Sequence, residues 1–166
     1  MCRKDWPRWI FASLAAYFEQ VAQSQNLPVL VETRDICSKS FIDAGDRVEV
    51  RITGPFIREL SKGFYQVFVD VSIFLISRLD PRKNSYDLMK YAGVFQEAME
   101  SNIGVFNYGH EVGDYVASDP TTLVRIGCLE PKEGKTVSIS HYGRINEVDH
   151  IRQTECECKY EMEISE

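Results

Sequence analysis

The final stretch of the chain constrains the fold more than any other. Over residues 153–165, Cys156, Cys158, Tyr160, Met162 and Ile164 alternate strictly with Glu155, Glu157, Lys159, Glu161 and Glu163. Successive side chains on a strand point to opposite faces, so this pattern writes one dry face and one charged face. A helix would scatter the same residues around its axis. Residues 64–77 repeat the theme. Tyr65, Val67, Val69, Val71, Ile73 and Leu75 share one face, and Phe64, Gln66, Phe68, Asp70, Ser72, Phe74 and Ile76 share the other. Both stretches are far longer than the usual strand of ~5–6 residues. Strands of this kind need a broad sheet with apolar elements laid against one side.

The remaining elements fit such a sheet. Residues 8–25 predict an amphipathic helix, with Ile10, Leu14, Tyr17 or Phe18, and Val21 on one stripe. Asn26-Leu27-Pro28 ends it, because the residue before proline avoids helical geometry. Residues 29–31 predict a short strand, and 33–46 a connecting loop. Val48, Val50 and Ile52 alternate with Arg47, Glu49, Arg51 and Thr53 until Gly54-Pro55 disturbs the period. Ser61-Lys62-Gly63 supplies a turn, so this strand and the next form a long hairpin. A second helix spans 86–101, with Leu88, Ala92, Phe95 and Met99 on its stripe. A strand at 103–108, an irregular stretch at 109–121, and strands at 123–129, 135–142 and 153–165 complete the chain. The expected class is α+β: a mostly antiparallel mixed sheet with a long β-hairpin and two main helices packed on it. At 166 residues, one domain over 1–166 is expected.

Composition narrows the function classes. Lys+Arg is 19 against Asp+Glu 25, a net charge of −6, whereas a dedicated nucleic-acid binder carries a basic excess. The hydrophobic fraction of 44% argues against disorder. The longest apolar-rich run, 64–76, is interrupted by Gln66, Asp70 and Ser72, short of the ~20 residues a membrane helix needs. The start, Met1-Cys2-Arg3-Lys4-Asp5-Trp6-Pro7, lacks the apolar core of a signal peptide. Five cysteines without paired spacing point to folding in a reducing cytoplasm.

Chemical motifs are few. Cys156-x-Cys158 near His150 lacks the second ligand pair that closes a structural zinc site, and both cysteines share the dry face with Tyr160. The spacing of His110, His141 and His150 sets up no cysteine nucleophile, and His141 shares a face with Val137 and Ile139 as a packed strand residue would. Gly104, Gly109 and Gly113 match neither phosphate-binding fingerprint, and no nucleophile elbow or zinc-protease helix occurs. No catalytic, cofactor or metal residue is therefore expected, and the chain is read as a non-enzyme. Glu155, Glu157, Glu161 and Glu163 read as a solvated face, or more sharply as a surface that repels DNA phosphate.

Three apolar groups do not belong to an obvious core. The turn region carries Phe56, Ile57, Leu60, Phe64 and Tyr65 beside Arg58 and Lys62. The second face of the 64–77 strand carries Phe68, Phe74 and Ile76, and the N-terminus carries Trp6, Trp9 and Phe11 around Arg8. Either these are assembly surfaces, or the helices cover both sides of the sheet.

Several segments together resemble a known family: Trp6-Pro7-Arg8-Trp9-Ile10-Phe11-Ala12-Ser13 before a helix, Val48-Glu49-Val50-Arg51-Ile52-Thr53-Gly54-Pro55 leading into Gly63-Phe64-Tyr65-Gln66-Val67, and Gly127-Cys128-Leu129-Glu130-Pro131 before Tyr142-Gly143 and a last amphipathic strand. In pattern and order the chain resembles the tail terminator and head–tail joining (neck) proteins of tailed bacteriophages. The resemblance implies a structural virion protein without catalysis or cofactor. Copies would form a ring, commonly a homohexamer, that caps the tail tube and meets neck and head-completion proteins. The protein would assemble in the host cytoplasm and reside at the head–tail junction of the virion. DNA would pass the central channel without specific binding, which the acidic balance suits. Phe56, Ile57, Arg58, Leu60, Lys62, Phe64, Tyr65 and Phe68 are the expected subunit-interface residues. His110, Glu111, Asp114 and Tyr115 are expected to contact the tube or neck. The rival readings are another neck or tail-completion adaptor, or a small cytoplasmic ligand-binding domain or enzyme, which would show a concave pocket with convergent polar groups.

Overall fold

The architecture follows from three long strands that share one dry face. The structure, a computed structural model, describes residues 3–32, 38–43, 45–78, 86–108, 123–132, 137–146 and 151–165. A short 3-10 turn, Arg3–Asp5, leads into α1, Trp6–Ser24, with Pro7 in the first turn, where its missing N–H goes unneeded. Asn26, at φ 55°, turns the chain out of α1 while the Leu27 N–H returns to the Ala22 carbonyl at 3.0 Å. There follow β1 (Val29–Val31), α2 (Lys39–Asp43), β2 (Asp46–Ser61), β3 (Phe64–Arg78), α3 (Tyr86–Met99), β4 (Ile103–Phe106), β5 (Arg125–Pro131), β6 (Ser138–Asn146) and β7 (Ile151–Ser165). The expected loop over 33–46 is corrected: it contains α2, whose start is tied by the Ser38 Oγ accepting from the Phe41 N–H at 3.2 Å.

The strands lie in the order β1-β2-β3-β7-β5-β4. Among the described residues β1 and β2 run parallel and the other pairs are antiparallel, so the fold is α+β with a mostly antiparallel mixed sheet. The β3–β7 ladder is unbroken from Phe64↔Ser165 to Arg78↔Ile151. The far edge of β7 is shared end to end. β6 pairs with it over 151–157 and β5 at Tyr160 and Glu161.

The sheet has one dry face, as the alternation requires. Val48, Val50 and Ile52 of β2, every second residue of β3 from Tyr65 to Leu75, and every second residue of β7 from Cys156 to Ile164 are buried there. Trp6, Ile10, Leu14 and Phe18 of α1 join the same cluster as Leu88, Ala92, Phe95 and Met99 of α3. Full burial of such a side chain contributes about 1.5–3 kcal/mol, so this layer dominates stability. Polar ties set its geometry. The Tyr160 hydroxyl donates to the Met99 carbonyl at 2.8 Å, and Tyr17 joins α1 to α3 through the Ala98 carbonyl at 2.9 Å. Glycine at 127 admits the buried Met162 side chain, whose sulfur a Cβ at that position would overlap. Gly127→Ala is therefore expected to cost about 1–3 kcal/mol in chemical denaturation, and less in a Met162→Ala background.

Both α1 and α3 lie against the dry face, so the two helices do not cover both sides. The opposite face is shielded piecemeal. At its base the Arg47 guanidinium sits 5.7 Å from the centre of the Phe41 ring of α2, and the cross-strand partner of Arg47 is Ile76, 6% exposed. Further along, Arg51 stacks on Phe74 at 4.8 Å and Lys132 on Phe68 at 4.8 Å. Among the described residues, the partial shielding of Phe68, Phe74 and Ile76 thus comes from long cationic side chains and a five-residue helix.

Candidate assembly surface

The outer end of the β2–β3 pair is where apolar surface remains uncovered. Its shape starts at Gly54. Thr53 pairs with Asp70 but Phe56 pairs with Phe68, so β2 carries one residue more than β3 across this step. Gly54, at φ 112°, makes the bulge possible; a Cβ there would stand 3.1 Å from the Phe68 carbonyl oxygen. The extra residue reverses the alternation. Before the bulge the even residues Val48, Val50 and Ile52 face the core; after it, Ile57 opposite Val67 does so, and Phe56 faces out beside Phe68. A second shift between Glu59 and Ser61 leaves Leu60 outward. Phe56, Leu60 and Phe64 are 56%, 47% and 58% exposed.

The expected interface set divides accordingly. Phe56, Arg58, Leu60, Lys62 and Phe64 are exposed around the turn, and Phe68 is half-buried beneath Lys132. Tyr65 is a correction. It lies on the dry face at 6% exposure, its ring edge-on to Trp6 at 5.3 Å, because odd residues of β3 face the core. Ile57 is likewise half-buried against the core rather than free at the tip. Beyond Val50, where β1 pairing stops, the outer edge of β2 has no strand partner among the described residues.

Charge is divided across this end of the sheet. Arg58 pairs in register with Gln66, and Gln66 with Glu163, so the three side chains form a row over three strands. On the β7 side, Glu130, Glu161 and Glu163 border an open groove of about 340 Å³ with Gln66, Cys128 and Met162. Glu130 and Glu161 are direct cross-strand neighbours, a like-charge pair that the sheet gains nothing from holding.

The N-terminal aromatic group belongs to the chain's own packing. Trp6 is fully buried, and Trp9 and Phe11 pack against the core. Arg8 Nη1 and Trp9 Nε1 both donate to the Tyr108 carbonyl, at 3.0 and 2.9 Å, and Ser13 Oγ accepts from the Phe106 N–H at 3.0 Å. Asn107 and Val124 exchange two hydrogen bonds, closing the base of the segment between them. His110, Glu111, Asp114 and Tyr115, expected to meet a tube or neck, lie outside the described residues, as does His150.

The Cys156 and Cys158 thiols behave as core groups. Burial pushes the Cys156 thiol up to about 11 and raises Cys158 and Tyr160 as well. A thiol held protonated at neutral pH is a poor nucleophile and a poor metal ligand. His141 is exposed rather than packed, with Nδ1 2.8 Å from the hydroxyl of buried Thr154. Among the described residues no cluster of His, Cys, Asp and Glu has the arrangement of a metal site, and no helix is long and apolar enough to cross a membrane. No protein-family model matches the chain, and no curated protein matches it.

Proposed function

We propose that the chain is a structural virion protein, a tail terminator that forms a ring on the end of a phage tail tube and joins it to the neck. The observation that supports this reading best is the outward apolar group Phe56, Leu60 and Phe64 beside a strand edge unpaired among the described residues. Exposed large apolar residues gathered at one end of a sheet are a docking surface in waiting. In this reading β2 and β3 are the long hairpin that reaches a neighbouring copy, and α1 and α3 are the two main helices that stiffen its base. Assembly proceeds through complementary surfaces, with no bond made or broken. A ring needs a heterologous contact whose rotation closes; the family resemblance implies six copies. The segment at 109–121 is the expected contact with the tube or neck. Net charge −6 suits a channel that DNA passes without binding.

Sedimentation of the purified protein, alone and with tail tubes, tests the reading. Ring-sized particles are expected, and a Phe56→Ser, Leu60→Ser, Phe64→Ser variant should associate at least about tenfold more weakly while melting normally, since these side chains support no core. Particles lacking the protein should show tails of uncontrolled length and unjoined heads. A wild-type chain that stays monomeric with tubes, together with normal virions in its absence, overturns the reading.

A further inference from the structure

We infer that the turn end of one copy docks onto the acidic groove of the next, so that Arg58 and Lys62 meet Glu130, Glu161 and Glu163 of the neighbour. This rests on the ring reading above and names the two surfaces that close it. Four observations carry it. The apolar residues Phe56, Leu60 and Phe64 surround the turn, so the surface has desolvation energy to release on contact. Arg58 and Lys62 flank those residues, and neither side chain has an ion-pair partner among the described residues. The groove beyond β3 has the opposite charge, and Glu130, Glu161 and Glu163 are likewise without ion partners there. Finally, Glu130 faces Glu161 directly, a like-charge pair that an incoming cation would relieve.

The two surfaces lie on different parts of the sheet, basic and apolar on the end of β2 and the turn into β3, acidic on β5 and β7. A sheet polarised in this way fits a head-to-tail contact, in which each copy offers its turn to one neighbour and its groove to the other. Within one copy β3 separates the two columns. At about 4.8 Å per strand, Arg58 and Glu163 sit roughly 10 Å apart at the backbone. The occupant is a second copy because the chain itself carries the matching charge and the apolar anchors. Complementary charge of this kind sets register and partner choice more than raw affinity.

Two charge-reversed variants test this, Arg58→Glu with Lys62→Glu, and Glu161→Lys with Glu163→Lys. Each alone is expected to weaken self-association about tenfold or more in sedimentation, with circular dichroism and melting unchanged. The decisive experiment mixes the two variants one to one. Each then presents the charge that the other's altered surface needs, and ring-sized particles of alternating copies should return. Misfolded variants would not rescue one another. If wild-type rings form but neither variant weakens them, or the mixture fails to reassemble, the inference is overturned while the ring reading stands. If the wild-type chain never associates, both fall.

Discussion

Trp6→Ala is expected to cost about 3–5 kcal/mol, the range found when a large aromatic is deleted from a packed core. Trp6 is fully buried, stands edge-on to Tyr65, and begins the helix that carries Ile10, Leu14 and Phe18. Domains of this size are held by about 5–15 kcal/mol, so the loss removes a large share of the total. The indole Nε1 is buried without a hydrogen-bond partner among the described residues. Its burial already carries a desolvation penalty, so Trp6→Phe, which removes that penalty with the ring edge, should cost less than half as much. Urea denaturation of the three proteins measures both. Equal losses for Phe and Ala would show that the indole nitrogen is satisfied and that ring volume does not govern the site.

Stability is also expected to fall steeply in alkali. The unfolded Cys156 thiol titrates near 9.0, and burial holds the folded one up to about 11. The folded state grips this proton more tightly than the unfolded state. The contribution is therefore complete below about pH 9 and is lost progressively as the pH rises through about 11. The slope in that window approaches about 1.4 kcal/mol per pH unit for one such group. Tyr160, buried on the same face of β7 and hydrogen-bonded to the Met99 carbonyl, is raised in the same direction and steepens the fall beyond pH 10. Thermal melts of wild type and Cys156→Ala between pH 8 and 11 decide the matter, and the variant should show the shallower loss. Parallel curves would mean that this thiol is open to solvent and ionises freely.

The two long strands and their dry faces were legible because period-two alternation is a direct consequence of strand geometry, and every second residue from Tyr65 to Leu75 and from Cys156 to Ile164 is buried as that pattern demands. The helices were legible for the same reason, through the stripes of Leu14 and Phe95. α2 was not: five residues are too short for a helical period to show against polar surroundings. Phe41 instead found its place through Arg47, a contact between segments. Tyr65 is the instructive error at the candidate surface. Its nearness to the turn suggested exposure, but its odd position on β3 sends it to Trp6.

Taken alone, the sequence determined that α1, α3 and the long strands form and which side of β3 and β7 is dry, because those depend on spacing along one chain. Tertiary structure decided the rest. Gly54 admits one extra residue, and that single step turns Phe56 outward and Ile57 inward. Helices α1 and α3 fall on one face, and among the described residues arginine and lysine stems shield part of the other. β7 brings Glu161 beside Glu130 from thirty-one positions away. Such outcomes depend on which strand lies next to which, and free energy of packing between distant segments settles that only when the whole sheet has formed.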